Sequence, residues 1–266
     1  LVRKEDAPVK VQVEKTDSVC TVIINRPESR NAVDRETAEQ LVAAFEEFER
    51  DDSLLAAVLW GRGGNFCAGA DLKAITSGDL NKINTLEWDM AKPGPLGPSR
   101  MTMTKPVIAA VSGHAVAGGL ELACWCDLRV VERDAYFGVF CRRYGVPLID
   151  GGTQRLPRLI GMSRALDMIL TGRPVGAEEA FAMGLANRLV EPGKAREKAE
   201  ALAAQIAAFP RICMQSDRLA VYRGFDLPMD EAMVLEFRQG MDVLASGEVL
   251  EGAKRFSEGI GKHGRF

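Results

Sequence analysis

The sequence predicts an α/β chain, with a mostly parallel sheet covered by helices and then a helical C-terminal region. Three observations carry this. Short, nearly continuous apolar runs recur at 54–60, 107–111 and 128–132, the pattern of strands buried on both faces. Segments of helical period alternate with them at 34–50 and 118–126, as β-α-β connections require. After about Arg155 nearly every segment has helical character.

Residues 9–14 alternate apolar and polar side chains, which predicts a half-buried strand. Residues 19–24 are rich in β-branched side chains and predict a second strand, closed at Asn25-Arg26-Pro27 because proline disrupts a strand interior. From 34 to 50 the period changes, and Ala38, Leu41, Val42, Phe45 and Phe48 share one helical face. Residues 54–60 form a buried strand bounded by Gly61-Arg62-Gly63-Gly64. A further strand at 107–111 ends at Ser112-Gly113, a helix follows over 118–126, and a strand over 128–132. Beyond these, helices are predicted over 162–170, 177–183, 194–209, 228–245 and 248–258, with one strand at 186–190. Residues 90–103, rich in Pro, Gly and Met, predict an irregular loop lining a site. The expected division is a core over 1–195 and a helical region over 196–266.

Composition excludes several function classes. With 47% hydrophobic and 27% charged residues among 266, the chain has the mix of a soluble globular protein. Its net charge of −3 argues against a global nucleic-acid or membrane-surface role. His114 and His263 are the only histidines, which excludes a three-histidine metal site, and no metal-ligand cluster is present. The six cysteines (Cys20, Cys67, Cys124, Cys126, Cys141 and Cys213) are scattered through apolar segments. They predict reduced thiols and a cytoplasmic protein. Cys124 and Cys126 are expected to act as small hydrophobes on a buried helix. No apolar stretch reaches the ~18 residues of a membrane span, and Leu1-Val2-Arg3-Lys4-Glu5-Asp6 turns acidic at once, against a signal peptide.

Familiar motifs fail one by one. Gly61-x-Gly63 is followed by Phe66 where a dinucleotide fingerprint wants glycine. Gly161-Met162-Ser163-Arg164-Ala165 misses a nucleophile elbow, and Ser163 is expected to cap the next helix. His114, just past a buried strand, is expected to be structural. Two segments remain, each a buried strand, a glycine turn and a helix start: Gly63-Gly64-Asn65-Phe66-Cys67-Ala68-Gly69-Ala70-Asp71-Leu72-Lys73 and Ser112-Gly113-His114-Ala115-Val116-Ala117-Gly118-Gly119-Leu120-Glu121-Leu122. Helix N-termini present unpaired N–H groups and the positive end of a dipole. Two such ends converging would stabilise a developing oxyanion with backbone alone.

This pair resembles the signature of the crotonase, or enoyl-CoA hydratase/isomerase, superfamily. Supporting matches are Asn25-Arg26-Pro27 with Asn31-Ala32, Lys105-Pro106-Val107-Ile108-Ala109-Ala110-Val111, Cys126-Asp127-Leu128-Arg129, Gly151-Gly152-Thr153-Gln154-Arg155-Leu156, Thr171-Gly172-Arg173 and Ala180-x-x-x-Gly184-Leu185. Together they cover roughly residues 9–258. The resemblance implies a spiral of β-β-α units with a C-terminal helical trimerisation region, hence a homotrimer or a hexamer of two trimers. It also implies acyl-coenzyme A thioester substrates, with no cofactor beyond the coenzyme A that the substrate carries.

Residue by residue, the resemblance implies oxyanion donors at the backbone N–H groups of Ala70 and Gly118. It implies a coenzyme A and substrate site formed by Arg26, Ala68, Ala70, Asp71, Leu72, Lys73 and Gly118. Glu121 lies three residues after Gly118 on the same helical face and matches one of the two glutamates that position water in the family's hydratases. Cys141 stands where the second glutamate is expected. Asp150, just before Gly151-Gly152, is the candidate replacement, since related isomerases place a catalytic aspartate beside this turn; the alternative is a helix-capping aspartate. Arg142 and Arg143 are expected on a solvated face, the alternative being a site for a carboxylated acyl group. Some family members bind RNA through a lysine-rich form of the first helix. Here that helix carries Glu36, Glu39, Glu46, Glu47 and Glu49, against an RNA partner. The basic stretch from Lys254-Arg255 to Lys262-His263-Gly264-Arg265 is a candidate phosphate contact, and Trp88, Met90, Met101 and Met103 are candidates for the acyl lining.

The expected function is therefore enoyl-CoA hydration. The alternatives are a double-bond isomerase, a hydrolase or lyase acting on a branched or cyclic acyl-CoA, and, from another class, a non-catalytic acyl-CoA-binding protein.

Overall fold

The structure is a computed structural model, and it describes residues 9–259. Leu1 to Asp6 and the stretch from Lys262 to Arg265, named above, lie outside the described residues. A six-stranded sheet has the order β1-β2-β3-β4-β6-β9. Its strands are β1 (Val11–Thr16), β2 (Val19–Ile24), β3 (Ala56–Gly61), β4 (Val107–Val111), β6 (Leu128–Glu132) and β9 (Arg188–Val190). Only the β1–β2 hairpin is antiparallel; the other four pairings are parallel. Every residue of β2 and β4 is buried, which is why β4 reads as an unbroken apolar run and β2 as one interrupted only by Thr21.

Helix α1 (Arg35–Arg50) buries Leu41, Phe45 and Phe48. Asp34 caps it, its carboxylate accepting the Thr37 N–H at 2.9 Å. At its other end the buried Lys105 ammonium donates to the Phe48 and Asp51 carbonyls, both at 2.8 Å, matching the negative end of the helix dipole. A second sheet, ordered β5-β7-β8, comprises β5 (His114–Val116), β7 (Tyr136–Gly138) and β8 (Val175–Gly176). Strands of two or three residues are too short to show a sequence period. The remaining helices of this part are α2 (Leu72–Thr76), α3 (Gly118–Trp125), α4 (Gly152–Ile160), α5 (Met162–Thr171), α6 (Ala177–Ala182) and α7 (Ala195–Ala207). The cap of α5 is Gly161, without a side-chain bond. Ser163 thus lies inside the first turn and does not cap the helix.

The chain divides into two compact units, one ending at Ala204 and the other beginning at Gln205. The second holds α8 (Arg211–Gly224), α9 (Met229–Ser246) and α10 (Glu248–Ser257). Helix α8 escaped the sequence reading because none of its residues is buried, so it has no core-facing stripe. On α9, Met229, Met233, Phe237, Met241 and Leu244 recur at helical spacing and are all exposed.

Candidate active site

Two loops meet at the N-terminus of α3. The first, running from β3 to α2, lies beside β5 like an added parallel strand: Cys67 N–H donates to the His114 carbonyl at 3.0 Å, and Val116 N–H to the Cys67 carbonyl at 3.1 Å. His114 fastens the same junction. Its Nδ1 lies 2.5 Å from Asn65 Oδ1 and its Nε2 is bonded to the Tyr136 hydroxyl, so it is structural, as expected. Gly69 has φ +89°, and a Cβ there would stand 2.8 Å from Gly118 N. Only glycine allows so close an approach of the two loops.

Ala117, the cap of α3, has φ 53° and ψ −126°. This is a strained conformation for a residue with a Cβ, of the kind that concentrates at functional sites. It turns the chain so that α3 starts at Gly118. Among the described residues, neither the Ala70 N–H nor the Gly118 N–H donates to a protein acceptor. Ala70 and Gly118 both line a cavity of about 400 Å3. Unpaired backbone donors are rare unless something external accepts from them.

Two carboxylic acids line the same cavity. Glu121 is 2% exposed. Its Oε1 accepts the N–H groups of Asp150 at 2.9 Å and Gly152 at 2.8 Å. Burial pushes its pKa up to about 7, although the Gly152 N–H opposes that shift. Asp150 is also buried. Its Oδ1 accepts the Leu96 N–H at 3.0 Å and the Ser99 hydroxyl. Burial raises its pKa, with Ser99, Leu96, Arg100 and Arg155 pulling it back. Among the described residues, no protein donor reaches Glu121 Oε2 or Asp150 Oδ2. The cap of α4 is Gly151, in the left-handed region at φ 97°, so the Asp150 carboxylate does not serve the helix that follows it.

Cys141 lines the cavity in a 3-10 turn over Phe140–Tyr144, and burial raises its thiol pKa. Its neighbours Arg142 and Arg143 bond the carbonyls of Ile169 and Gly172 and are absent from the lining. Among the described residues, the cavity lining contains no Lys or Arg. The acyl-lining expectation is corrected: Ile75, Ile83, Leu86 and Leu96 line the cavity. Trp88 is 99% exposed and Met103 lies in the core.

Of the expected substrate-binding residues, Ala68, Ala70, Leu72 and Gly118 line the cavity; Arg26, Asp71 and Lys73 do not. Arg26 Nη2 donates to Asp71 Oδ2 at 2.8 Å, while Asp71 Oδ1 caps α2 through the N–H groups of Lys73 and Ala74. That pair therefore fixes the first donor loop. Lys73 is exposed on α2, next to Leu72.

The sequence profile described as enoyl-CoA hydratase/isomerase matches residues 14–262. An enoyl-CoA hydratase of Mycobacterium tuberculosis is 35% identical over 92% of this chain and 92% of its own length. An (E)-benzylidenesuccinyl-CoA hydratase of Thauera aromatica is 34% identical over 93% of this chain and 96% of its own. The crystal structure of an enoyl-CoA hydratase from Mycobacterium marinum superposes with a TM-score of 0.87 at 34% identity, covering 94% of this chain and 96% of that one.

Proposed function

The chain belongs to the enoyl-CoA hydratase/isomerase family, the crotonase superfamily of acyl-CoA enzymes, and we propose that it adds water to α,β-unsaturated acyl-CoA thioesters with Glu121 and Asp150 as its proton-transfer pair. The observation that carries this is the pairing inside one cavity: two unpaired backbone donors, and two buried carboxyl groups that each keep one oxygen free.

The thioester oxygen sits on the N–H groups of Ala70 and Gly118. As water oxygen bonds to Cβ, charge moves onto that oxygen and an enolate forms. One such donor is worth ~3–4 kcal/mol in the transition state. Asp150, supported by two donors and two nearby guanidinium groups, takes the proton that water loses. Glu121, whose pKa burial pushes up to about 7, keeps its proton far more readily than an ordinary glutamate and gives it to Cα. Product release lets the pair re-equilibrate with solvent, so atoms and charge balance. In this reading the reaction needs no cofactor besides the substrate's own coenzyme A, and Lys73, exposed on α2 next to the lining residue Leu72, is the residue we assign to its phosphates.

The acyl group taken is neutral and apolar. Two buried carboxyl groups and a lining without Lys or Arg disfavour a second carboxylate, which would enter the low-dielectric cavity unpaired. The second reading is double-bond isomerisation, favoured by Cys141 in the place of a hydratase glutamate and by Asp150 in the same lining. There the pair moves a proton between Cγ and Cα without adding water.

The exposed apolar stripe of α9 supports self-association, because monomers rarely leave such a face in water, and the homotrimer or hexamer of two trimers is the assembly that the family resemblance implies. The free thiols at all six cysteines fit a reducing, cytoplasmic setting. No helix among the described residues is long and apolar enough to cross a membrane.

A panel of enoyl-CoA thioesters, followed by loss of the enoyl-thioester absorbance and by mass gain of one water, tests the reading. Hydration of apolar substrates supports it. Shift of the double bond without mass gain supports the second reading. Tight binding with no turnover across the panel refutes both and leaves an acyl-CoA-binding protein.

A further inference from the structure

We infer that Ser99 is a positioning residue that sets the protonation state of Asp150, acting from a turn that closes over the cavity. The inference rests on the role proposed above for Asp150. Gly94 and Gly97 bond each other in both directions at 2.9 Å, with Pro95 and Leu96 at the tip of the turn. The tip faces the cavity. A Cβ on Gly118 would overlap Leu96 Cδ1, so the Leu96 side chain packs directly on the proposed oxyanion donor. The Leu96 N–H is turned the other way, onto Asp150 Oδ1 at 3.0 Å.

Ser99 follows in the single 3-10 turn Pro98–Arg100 and is 1% exposed. Its hydroxyl donates to the same Asp150 Oδ1, which leaves Oδ2 for the cavity. Arg155 locks the pair from behind, Nη2 on the Ser99 carbonyl at 2.8 Å and Nη1 on the Asp150 carbonyl at 2.9 Å. A Cβ on Gly94 would overlap Ser99 Oγ and stand 3.0 Å from Asp150 Oδ1. Glycine at 94 is therefore what lets the hydroxyl reach the carboxylate.

A buried hydroxyl has one proton to give, and it binds a carboxylate more strongly than a neutral acid. Ser99 thus holds Asp150 in its charged, proton-accepting form. The other ionisable groups around Asp150 are Arg100 and Arg155, which favour the charge, and Glu121 and Cys67. Cys67 stays neutral, its thiol pushed up to about 12 by burial. None of the four offers a hydroxyl in place of Ser99.

The test compares kcat and KM against pH for Ser99→Ala, Ser99→Thr, Gly94→Ala and Asp150→Asn. Ser99→Ala should move the acidic limb of kcat upward by about 1–2 pH units, the scale of one lost charge-assisted hydrogen bond. KM at high pH should be unchanged. Gly94→Ala, which keeps the serine but displaces it, should shift the limb the same way, and Ser99→Thr should restore it. Titration of the Asp150 carboxyl by carbon NMR, assigned by its loss in Asp150→Asn, should show the same shift without turnover. An unmoved limb and titration in Ser99→Ala overturn the inference, whether or not kcat falls. Full activity in Asp150→Asn instead overturns the role of Asp150 itself, and the inference with it.

Discussion

The backbone N–H of Asp150 donates to Glu121 Oε1 at 2.9 Å, so the two cavity carboxyl groups are joined through main chain rather than by a shared proton. Each can be altered separately. Glu121→Gln retains an amide oxygen for the Asp150 and Gly152 N–H groups while removing the titrating proton. It should lower kcat by about 100-fold to 10,000-fold, the range of a lost general acid or base. Asp150→Asn should do likewise. Near-native kcat in either variant refutes that residue's role.

The raised pKa of Glu121 also affects stability. Unfolded, the group titrates near 4.5; folded, near 7. Between those values the folded chain holds more protons than the unfolded one, so stability falls as pH rises through that window and is level above it. The contribution is at most about 3 kcal/mol. Glu121→Gln has no such proton and should be more stable than the native chain at pH 8 and closer to it at pH 4.5. Denaturant melts at the two pH values check this, and an equal difference at both contradicts it.

Gly69→Ala should be more damaging than its size suggests. The added Cβ would stand 2.8 Å from Gly118 N, at a φ of +89°, and would push the two donor loops apart. A loss of about 100-fold to 1,000-fold in kcat is expected, comparable to removing an oxyanion donor. Circular dichroism should show a folded chain. Unchanged kinetics would contradict the placement of the Gly118 N–H in the site.

Cys141 has no proton-transfer role in the proposed reaction. Cys141→Ala should lower kcat/KM by no more than about 3-fold, under 1 kcal/mol. A loss as large as that of Asp150→Asn would transfer the second role from Asp150 to the thiol.

Acyl groups ending in a carboxylate should be poor substrates. Without a lining Lys or Arg, an enoyl-CoA with a terminal carboxylate should show kcat/KM at least about 100-fold below that of its methyl-ended analogue, the cost of leaving a buried charged group unpaired. Equal rates would show that the anion finds a cationic partner.

Much of this was legible in the sequence because it is local. Strands β2, β4 and β6 were read with their boundaries because burial leaves short, mostly apolar runs, interrupted only by Thr21 in β2 and by Arg129 and Glu132 in β6. The two glycine turns that open helices α2 and α3 were legible in the same way, whereas the donor roles of Ala70 and Gly118 and the role of Glu121 came from the resemblance. The partners of Asp150 were not legible. Leu96 and Ser99 lie 54 and 51 residues away, and no period links a turn to a carboxylate at that separation. Arg26 and Asp71 were assigned to substrate by resemblance, whereas 45 residues apart they bond each other. Trp88 and Met90 suggested a lining by composition alone, but a loop's composition does not say which way it faces.

The unpaired N–H groups of Ala70 and Gly118 belong to main chain, which side-chain substitution does not delete. Where Gly69 and Gly118 keep the two loops together, that half of the proposed site does not depend on which acids and bases surround it. A lineage could exchange a glutamate for Cys141 and recruit Asp150 from elsewhere in the same lining without losing the proposed hold on the thioester. The backbone arrangement works as a fixed socket, into which successive sets of acids and bases can be fitted to give new reactions.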